Sequence, residues 1–118
     1  MTCDEWNKTM NINTRSTFLL LKYTFELLKK TEGNIVNIGS VHSIASSDKI
    51  AAYSCSKHAI VGLTKNMAIE LAPFNICVNC ISPGSIETDM LKKSLLRGHS
   101  GNDEETIINN FTNKHLQK

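Results

Sequence analysis

Long hydrophobic runs are missing from the 118 residues: the run at 18–21 already stops at Lys22. A bilayer-crossing helix needs about 20 consecutive apolar residues, so no membrane-spanning segment is expected. No secretory leader is expected either, because Asp4, Glu5 and Lys8 occupy the stretch that would have to be apolar. The predicted compartment is therefore the cytoplasm. An excess of one charge sign is also lacking. With 13 Lys+Arg against 11 Asp+Glu the net charge is +2, too small and too evenly spread for a nucleic-acid partner. Proline occurs only 2 times, and no proline or glycine precedes Gly33. There is no repeat, linker or low-complexity tract. What is present is an ordinary globular balance, 41% apolar and 20% charged, which excludes a disordered chain. A chain of this length makes one domain and buries roughly 65% of its unfolded surface.

The 4 cysteines invite a disulfide or zinc reading, Cys77-x-x-Cys80 above all. Their surroundings, N-I-C-V-N-C-I over residues 75–81, read instead as a short buried strand. Side chains three apart on a strand point to opposite faces, so these two sulfurs cannot share a metal or bond each other. Cys3 and Cys55 are isolated. All four are expected to be reduced packing thiols.

Thr2-x-x-Glu5 is a capping-box pattern, in which hydroxyl and carboxylate each satisfy an exposed amide. Beyond it, Trp6, Met10, Phe18, Leu21, Phe25 and Leu28 recur mostly at three- and four-residue steps, with some drift. The pattern predicts a helix over 4–30 with Lys29 and Lys30 in its last turn, where the macrodipole favours cations, and Gly33 ending the turn after it. Residues 34–39 read as a strand and 40–49 as a loop. A helical pattern over 51–71, with Ile60, Leu63, Met67 and Leu71, is closed by Pro73. Asn75, tolerant of positive φ, turns the chain into a strand over 76–81, which Pro83-Gly84 breaks. A basic helix follows over 88–97 with Gly98 as its stop, and Gly101-Asn102-Asp103 introduces a last short helix.

The middle is thus strand, helix, strand, with a crossover too long for a hairpin. That predicts a right-handed βαβ unit with parallel strands. Parallel sheets need several strands and cover on both faces, so two strands that are both edges read as a piece of a larger doubly wound α/β domain.

Tyr53 and Lys57, four residues apart, project from one helix face. A phenol, with a pKa near 10, is too weak an acid for proton transfer at neutral pH. A fixed ammonium beside it favours the phenolate and brings the proton within reach. Alone the spacing is a weak signal, since a surface tyrosine beside a solvated lysine has the same pattern. Ser40, directly after the first strand, adds to it, because sites in open parallel sheets lie beyond the strands' carboxyl ends. Pro83-Gly84, with Ile86 and Thr88 following, lies at the same end of the second strand, and Asn13 is a polar residue on the long first helix.

These segments together resemble the short-chain dehydrogenase/reductase family. The matching stretches are residues 6–18 (W-N-K-T-M-N-I-N-T-R-S-T-F), 33–40 (G-N-I-V-N-I-G-S), 53–57 (Y-S-C-S-K) and 71–90 (L-A-P-F-N-I-C-V-N-C-I-S-P-G-S-I-E-T-D-M), in the family's order and spacing. The likeness covers residues 4–92, and residues 93–118 read as a variable segment that covers substrate. The resemblance implies a partial Rossmann-type sheet and a catalytic tetrad of Asn13, Ser40, Tyr53 and Lys57. In that scheme Tyr53 exchanges the substrate hydroxyl proton as hydride moves to or from a nicotinamide. Ser40 stabilises charge on the substrate oxygen. Lys57 tunes the phenol and holds the ribose hydroxyls, and the backbone of Asn13 positions a water that connects Lys57 to solvent. Pro83, Gly84, Ile86 and Thr88 match the loop that receives the nicotinamide, with Tyr53 and Lys57 also on the cofactor. The resemblance implies NAD or NADP, no metal, a small alcohol or carbonyl substrate, and a homodimer or tetramer through the two long helices.

No G-x-x-x-G-x-G turn, the family's pyrophosphate cradle, occurs in the sequence; the resemblance places that turn, and an Asn-Asn-Ala-Gly strand, ahead of Thr2. Three readings stay open on the residues alone: the catalytic half of an active oxidoreductase, a truncated chain without turnover, and an interaction module built from the helices that pair family members. Gly62 inside the second helix reads as a close-packing residue, His42 as a solvent-exposed loop histidine, His58 as off the catalytic face, and Trp6 as packing its helix to the core.

Overall fold

The computed structural model describes residues 1–86, 88–96 and 104–115 of the chain. They form two compact units, Met1–Pro83 and Gly84–Lys118. The first unit begins with α1 (Cys3–Met10), a π-helical turn (Asn11–Arg15) and α2 (Ser16–Thr31), which follow one another without a break. Thr2 starts α1 through the expected capping box: its hydroxyl accepts from the Glu5 amide at 3.2 Å, and its own amide donates to Glu5 Oε2 at 2.7 Å. The drift in the apolar spacing between Met10 and Phe18 has its cause in the π turn, where the Ser16 amide bonds the Asn11 carbonyl five residues back.

β1 (Asn34–Ile38), α3 (Ala51–Leu71) and β2 (Cys77–Ile81) make the βαβ unit. The strands are parallel, with Asn34 opposite Cys77 and Ile38 opposite Ile81. β1 ends one residue short of its predicted span, and β2 begins one residue later than predicted. A 3₁₀ turn (Val41–Ser43) follows β1, and another (Ala72–Phe74), with Pro73 in its first turn, closes α3.

The core lies where α2 and α3 meet the sheet. Leu71, Ile76 and Val78 are buried, with Leu21, Phe25, Leu28, Ile35, Met67 and Phe74 packed against them. Phe25 and Phe74 meet edge to face at 5.3 Å. On the strand side Asn37 Nδ2 donates to Thr64 Oγ1 at 2.9 Å, which fixes α3 over β1.

The left-handed residue that closes α2 is Glu32 (φ 48°), and its carboxylate accepts from the side chain of Asn75, itself left-handed at φ 55°. Two expectations need correction, at the cysteines and at Gly62. The four cysteines are free, but Cys3, Cys55 and Cys77 are exposed, so only Cys80 is partly packed. Alternating burial along β2 puts Cys77 and Cys80 on opposite faces, as the strand period requires. Gly62 is not a close-packing residue: a Cβ built there meets nothing within 4 Å.

The second unit contains α4 (Asp89–Leu95) and α5 (Glu104–His115), which pack together. Thr88 Oγ1 accepts from the Leu91 amide at 3.3 Å and caps α4. The predicted end of this helix at Arg97 and Gly98, and the turn at Gly101-Asn102-Asp103, lie outside the described residues.

Candidate active site

The carboxyl ends of the two strands are joined beyond the sheet itself. The Gly39 amide donates to the Ile81 carbonyl at 2.7 Å and the Val41 amide to the Pro83 carbonyl at 2.8 Å. Ser40 and Pro83 therefore stand on one edge, as the βαβ reading predicts. Gly39 is the residue that permits this approach: a Cβ there would lie 2.8 Å from Ser82 Oγ and 3.0 Å from both Cys80 Sγ and Ser43 Oγ.

Ser40 is buried and its geometry is held from both sides. Its hydroxyl accepts from the His42 amide at 3.1 Å, and its own amide donates to Ser43 Oγ at 3.0 Å. Accepting that amide leaves the hydroxyl proton free to donate to a third oxygen. The loop is in turn tied to α3, because Ser54 Oγ donates to the His42 carbonyl at 3.2 Å.

Tyr53 is half-buried in the first turn of α3. The ring of His42 meets it edge to face at 6.1 Å. His42 is thus half-buried against Tyr53 with its Nδ1 covered, not the solvent-exposed loop residue its sequence context predicts. Lys57, one turn on, places its ammonium 5.7 Å from the centre of the Tyr53 ring and donates to the Ile38 carbonyl at 2.9 Å. That bond pins the cation to the last residue of β1, two positions before Ser40. His58, the next residue, turns away and bonds the Ser54 carbonyl through Nδ1 at 3.0 Å.

Asn13 lies in the π turn. It shares with Lys57 a groove of about 580 Å³ that runs along β1, lined also by Ile12, Leu20, Val36 and Ile38. Ser40 and Tyr53 are not among the residues lining it. The side chain of Asn13 donates to Ser56 Oγ at 2.9 Å, and its carbonyl accepts from Thr17 Oγ1 at 2.9 Å. Of the predicted loop, Pro83 is at the strand edge. Gly84, Ile86 and Thr88 belong to the second unit, where Ile86 is exposed and Thr88 caps α4.

Two participants were not anticipated from the residues. The Ile38 carbonyl carries no signal of its own in a sequence. Ser56, wholly buried, was legible only as part of Y-S-C-S-K, where its spacing of three from Tyr53 allows a bond back to the Tyr53 carbonyl.

Residues 1–97 match the short chain dehydrogenase family. The trans-4-hydroxycyclohexanecarboxylate dehydrogenase of Sinomonas cyclohexanicum is 38% identical over 106 residues, covering 87% of this chain and 41% of that protein. The NAD-dependent glycerol dehydrogenase of Listeria innocua is 41% identical over 104 residues, with 87% and 41% covered. Among solved structures, an NAD⁺-bound xylitol dehydrogenase superposes with a TM-score of 0.82 at 29% identity, over 96% of this chain and 46% of that one. The chain spans about two fifths of the length of these curated relatives. A parallel βαβ unit with Ser40 at its strand edge and the tyrosine–lysine pair on its crossover helix, matched over most of its length, places the chain in the short-chain dehydrogenase family.

Proposed function

We propose that this chain carries the catalytic centre of an NAD(P)-dependent oxidoreductase that interconverts a secondary alcohol and a carbonyl compound. The observation that carries the reading is the position of Lys57, bonded to the end of β1 and 5.7 Å from the Tyr53 ring. A nicotinamide would supply the hydride acceptor or donor. The Tyr53 phenolate takes the alcohol proton in oxidation, and the resulting phenol gives it back in reduction. Ser40 donates its free hydroxyl proton to the substrate oxygen and stabilises charge as it develops there. Lys57 stabilises negative charge on the phenol oxygen, and the carbonyl of Asn13 holds the water through which protons reach solvent.

The residues present fit the nicotinamide end of such a cofactor. Of the three N–H bonds on the Lys57 ammonium, the Ile38 carbonyl uses one, which leaves two for ribose hydroxyls. Pro83, bonded to the Ser40 loop through the Val41 amide, would stand at the ring end, a part the family likeness also assigns to Gly84, Ile86 and Thr88. The pyrophosphate finds no G-x-x-x-G-x-G cradle among these residues. The names of the relatives, which include a cyclopentanol dehydrogenase and a glycerol dehydrogenase, support a small alcohol as substrate.

The test is NAD or NADP reduction with a panel of cyclic and linear secondary alcohols, beside Tyr53→Phe. Turnover abolished in that variant with nucleotide still bound supports the assignment; retained turnover removes Tyr53 from its role.

A second reading, pairing through the long helices, rests on a different observation. Leu20, Tyr23 and Leu27 are 67%, 76% and 64% exposed along α2, and Ile69 on α3 is 75% exposed. Such apolar stripes mark association surfaces. A dimer in sedimentation that binds no nucleotide would favour the interaction module over the oxidoreductase.

A further inference from the structure

Ser56 is completely buried, with 0% of its surface exposed, and its hydroxyl is bonded directly to the tyrosine's backbone. Its hydroxyl donates to the Tyr53 carbonyl at 2.7 Å and accepts from Asn13 Nδ2 at 2.9 Å. Thr14 Oγ1, the next residue of the π turn, donates to the Ser56 carbonyl at 3.2 Å. A serine that bonds only back along its own helix changes little beyond that turn. Here the second bond comes from 43 residues away and ties one helix to another.

The turn that receives this brace lacks one of its own. α3 starts at Ala51 after Ile50, which has no oxygen to cap the first amides, and no side-chain cap is present. Tyr53 thus sits in an uncapped first turn, the part of a helix most prone to fray. Two hydroxyls hold that turn in place: Ser54 ties it to the Ser40 loop and Ser56 ties it to the π turn. The hydroxyl has a single proton, and Asn13 Nδ2 offers only donors, so the proton must point at the Tyr53 carbonyl.

We propose that Ser56 is a positioning residue: through one hydroxyl it locks the Tyr53 backbone to Asn13 and thereby holds the phenol in register with Lys57. The proposal rests on the reading of Tyr53 as the proton-transfer group. Loss of the lock leaves Tyr53 in its helix but lets its ring sample other positions, and misplacement of a reacting group by about 1 Å costs on the order of 100-fold in rate.

The test compares Ser56→Ala with Thr14→Val, each of which deletes one hydrogen bond between the π turn and α3, while only the first releases the Tyr53 carbonyl. Both should lower the melting temperature to a similar extent. Ser56→Ala should reduce kcat by about 10- to 100-fold with KM for the nucleotide within about twofold, and Thr14→Val should leave kcat unchanged. Equal effects of the two variants on kcat, or none from Ser56→Ala, would overturn the proposal. Tyr53→Phe in the same assay separates the two claims: if it retains turnover, the role of Tyr53 fails rather than that of Ser56. A readout independent of turnover is available because the chain has only 2 tyrosines. In a Tyr23→Phe background with labelled tyrosine, the single ring resonance should shift or broaden on adding Ser56→Ala and stay put on adding Thr14→Val. An unmoved resonance in the Ser56→Ala protein would also overturn the proposal.

Discussion

Lys57 and Ile38 are joined by a 2.9 Å hydrogen bond from the lysine ammonium to the strand's last carbonyl, 19 residues apart in sequence. The bond fixes the cation at the carboxyl edge of the sheet, where its distance from Tyr53 no longer depends on a flexible four-carbon stem. Substituting Lys57→Met keeps the apolar stem and removes the charge. Turnover should fall by about 100-fold or more, the scale of losing a group that assists proton transfer, and the melting temperature should fall only slightly, since one bond of this kind contributes about 1 kcal/mol. Steady-state kinetics beside a thermal melt would check both; a variant with unchanged kcat would show that the cation is structural.

Gly39 is the hinge between β1 and Ser40, and its surroundings leave no room for a methyl group. Three atoms within 3.0 Å of a built Cβ, from Ser82, Cys80 and Ser43, would have to move. Gly39→Ala should destabilise the fold by about 1–3 kcal/mol, the range for overpacking, and displace the Ser40 hydroxyl with it. Denaturant unfolding measures the first effect. An unchanged midpoint would mean that the strand ends separate easily.

The opposite outcome is expected at Gly62. This glycine is in the interior of α3, exposed, with open space around its missing side chain. Gly62→Ala should therefore stabilise the protein by about 1 kcal/mol, the difference in helix propensity. A lower melting temperature would reveal a neighbour on that face in solution, which the dimer reading would supply.

At the amino terminus the Glu5 carboxyl titrates below its ordinary value of 4.5, chiefly because the Thr2 amide bonds it, and then because the terminal ammonium lies near. A carboxyl depressed in the folded chain stabilises the capped turn above its unfolded value, and that contribution is lost as the pH falls through the folded one. The protection of the Thr2 and Glu5 amides, measured against their intrinsic exchange rates, should fall as the solution is acidified below that range. Glu5→Gln should remove this pH dependence; an unaltered profile would mean that the capping box plays no part in it.

Much of this architecture is decided locally. The strand–helix–strand order, the shared face of Tyr53 and Lys57, the capping box and the left-handed Asn75 follow from spacing and residue type, because each depends on atoms within about one helical turn or one strand period. The position of Ser40 follows nearly as directly, since a residue after a parallel strand must lie at its carboxyl edge.

What the tertiary structure decided are the contacts between distant segments. The sequence could show that periodicity drifts after Met10, but not that the drift is a π turn whose Asn13 and Thr14 both reach Ser56. The lysine's carbonyl partner, the half-buried face of His42, the exposure of three cysteines and the open space at Gly62 are equally beyond local reading. A backbone carbonyl has no residue-type signature, and burial belongs to whatever the rest of the chain brings alongside. Spacing determines which way a side chain leaves its helix or strand; only the fold determines what it meets there.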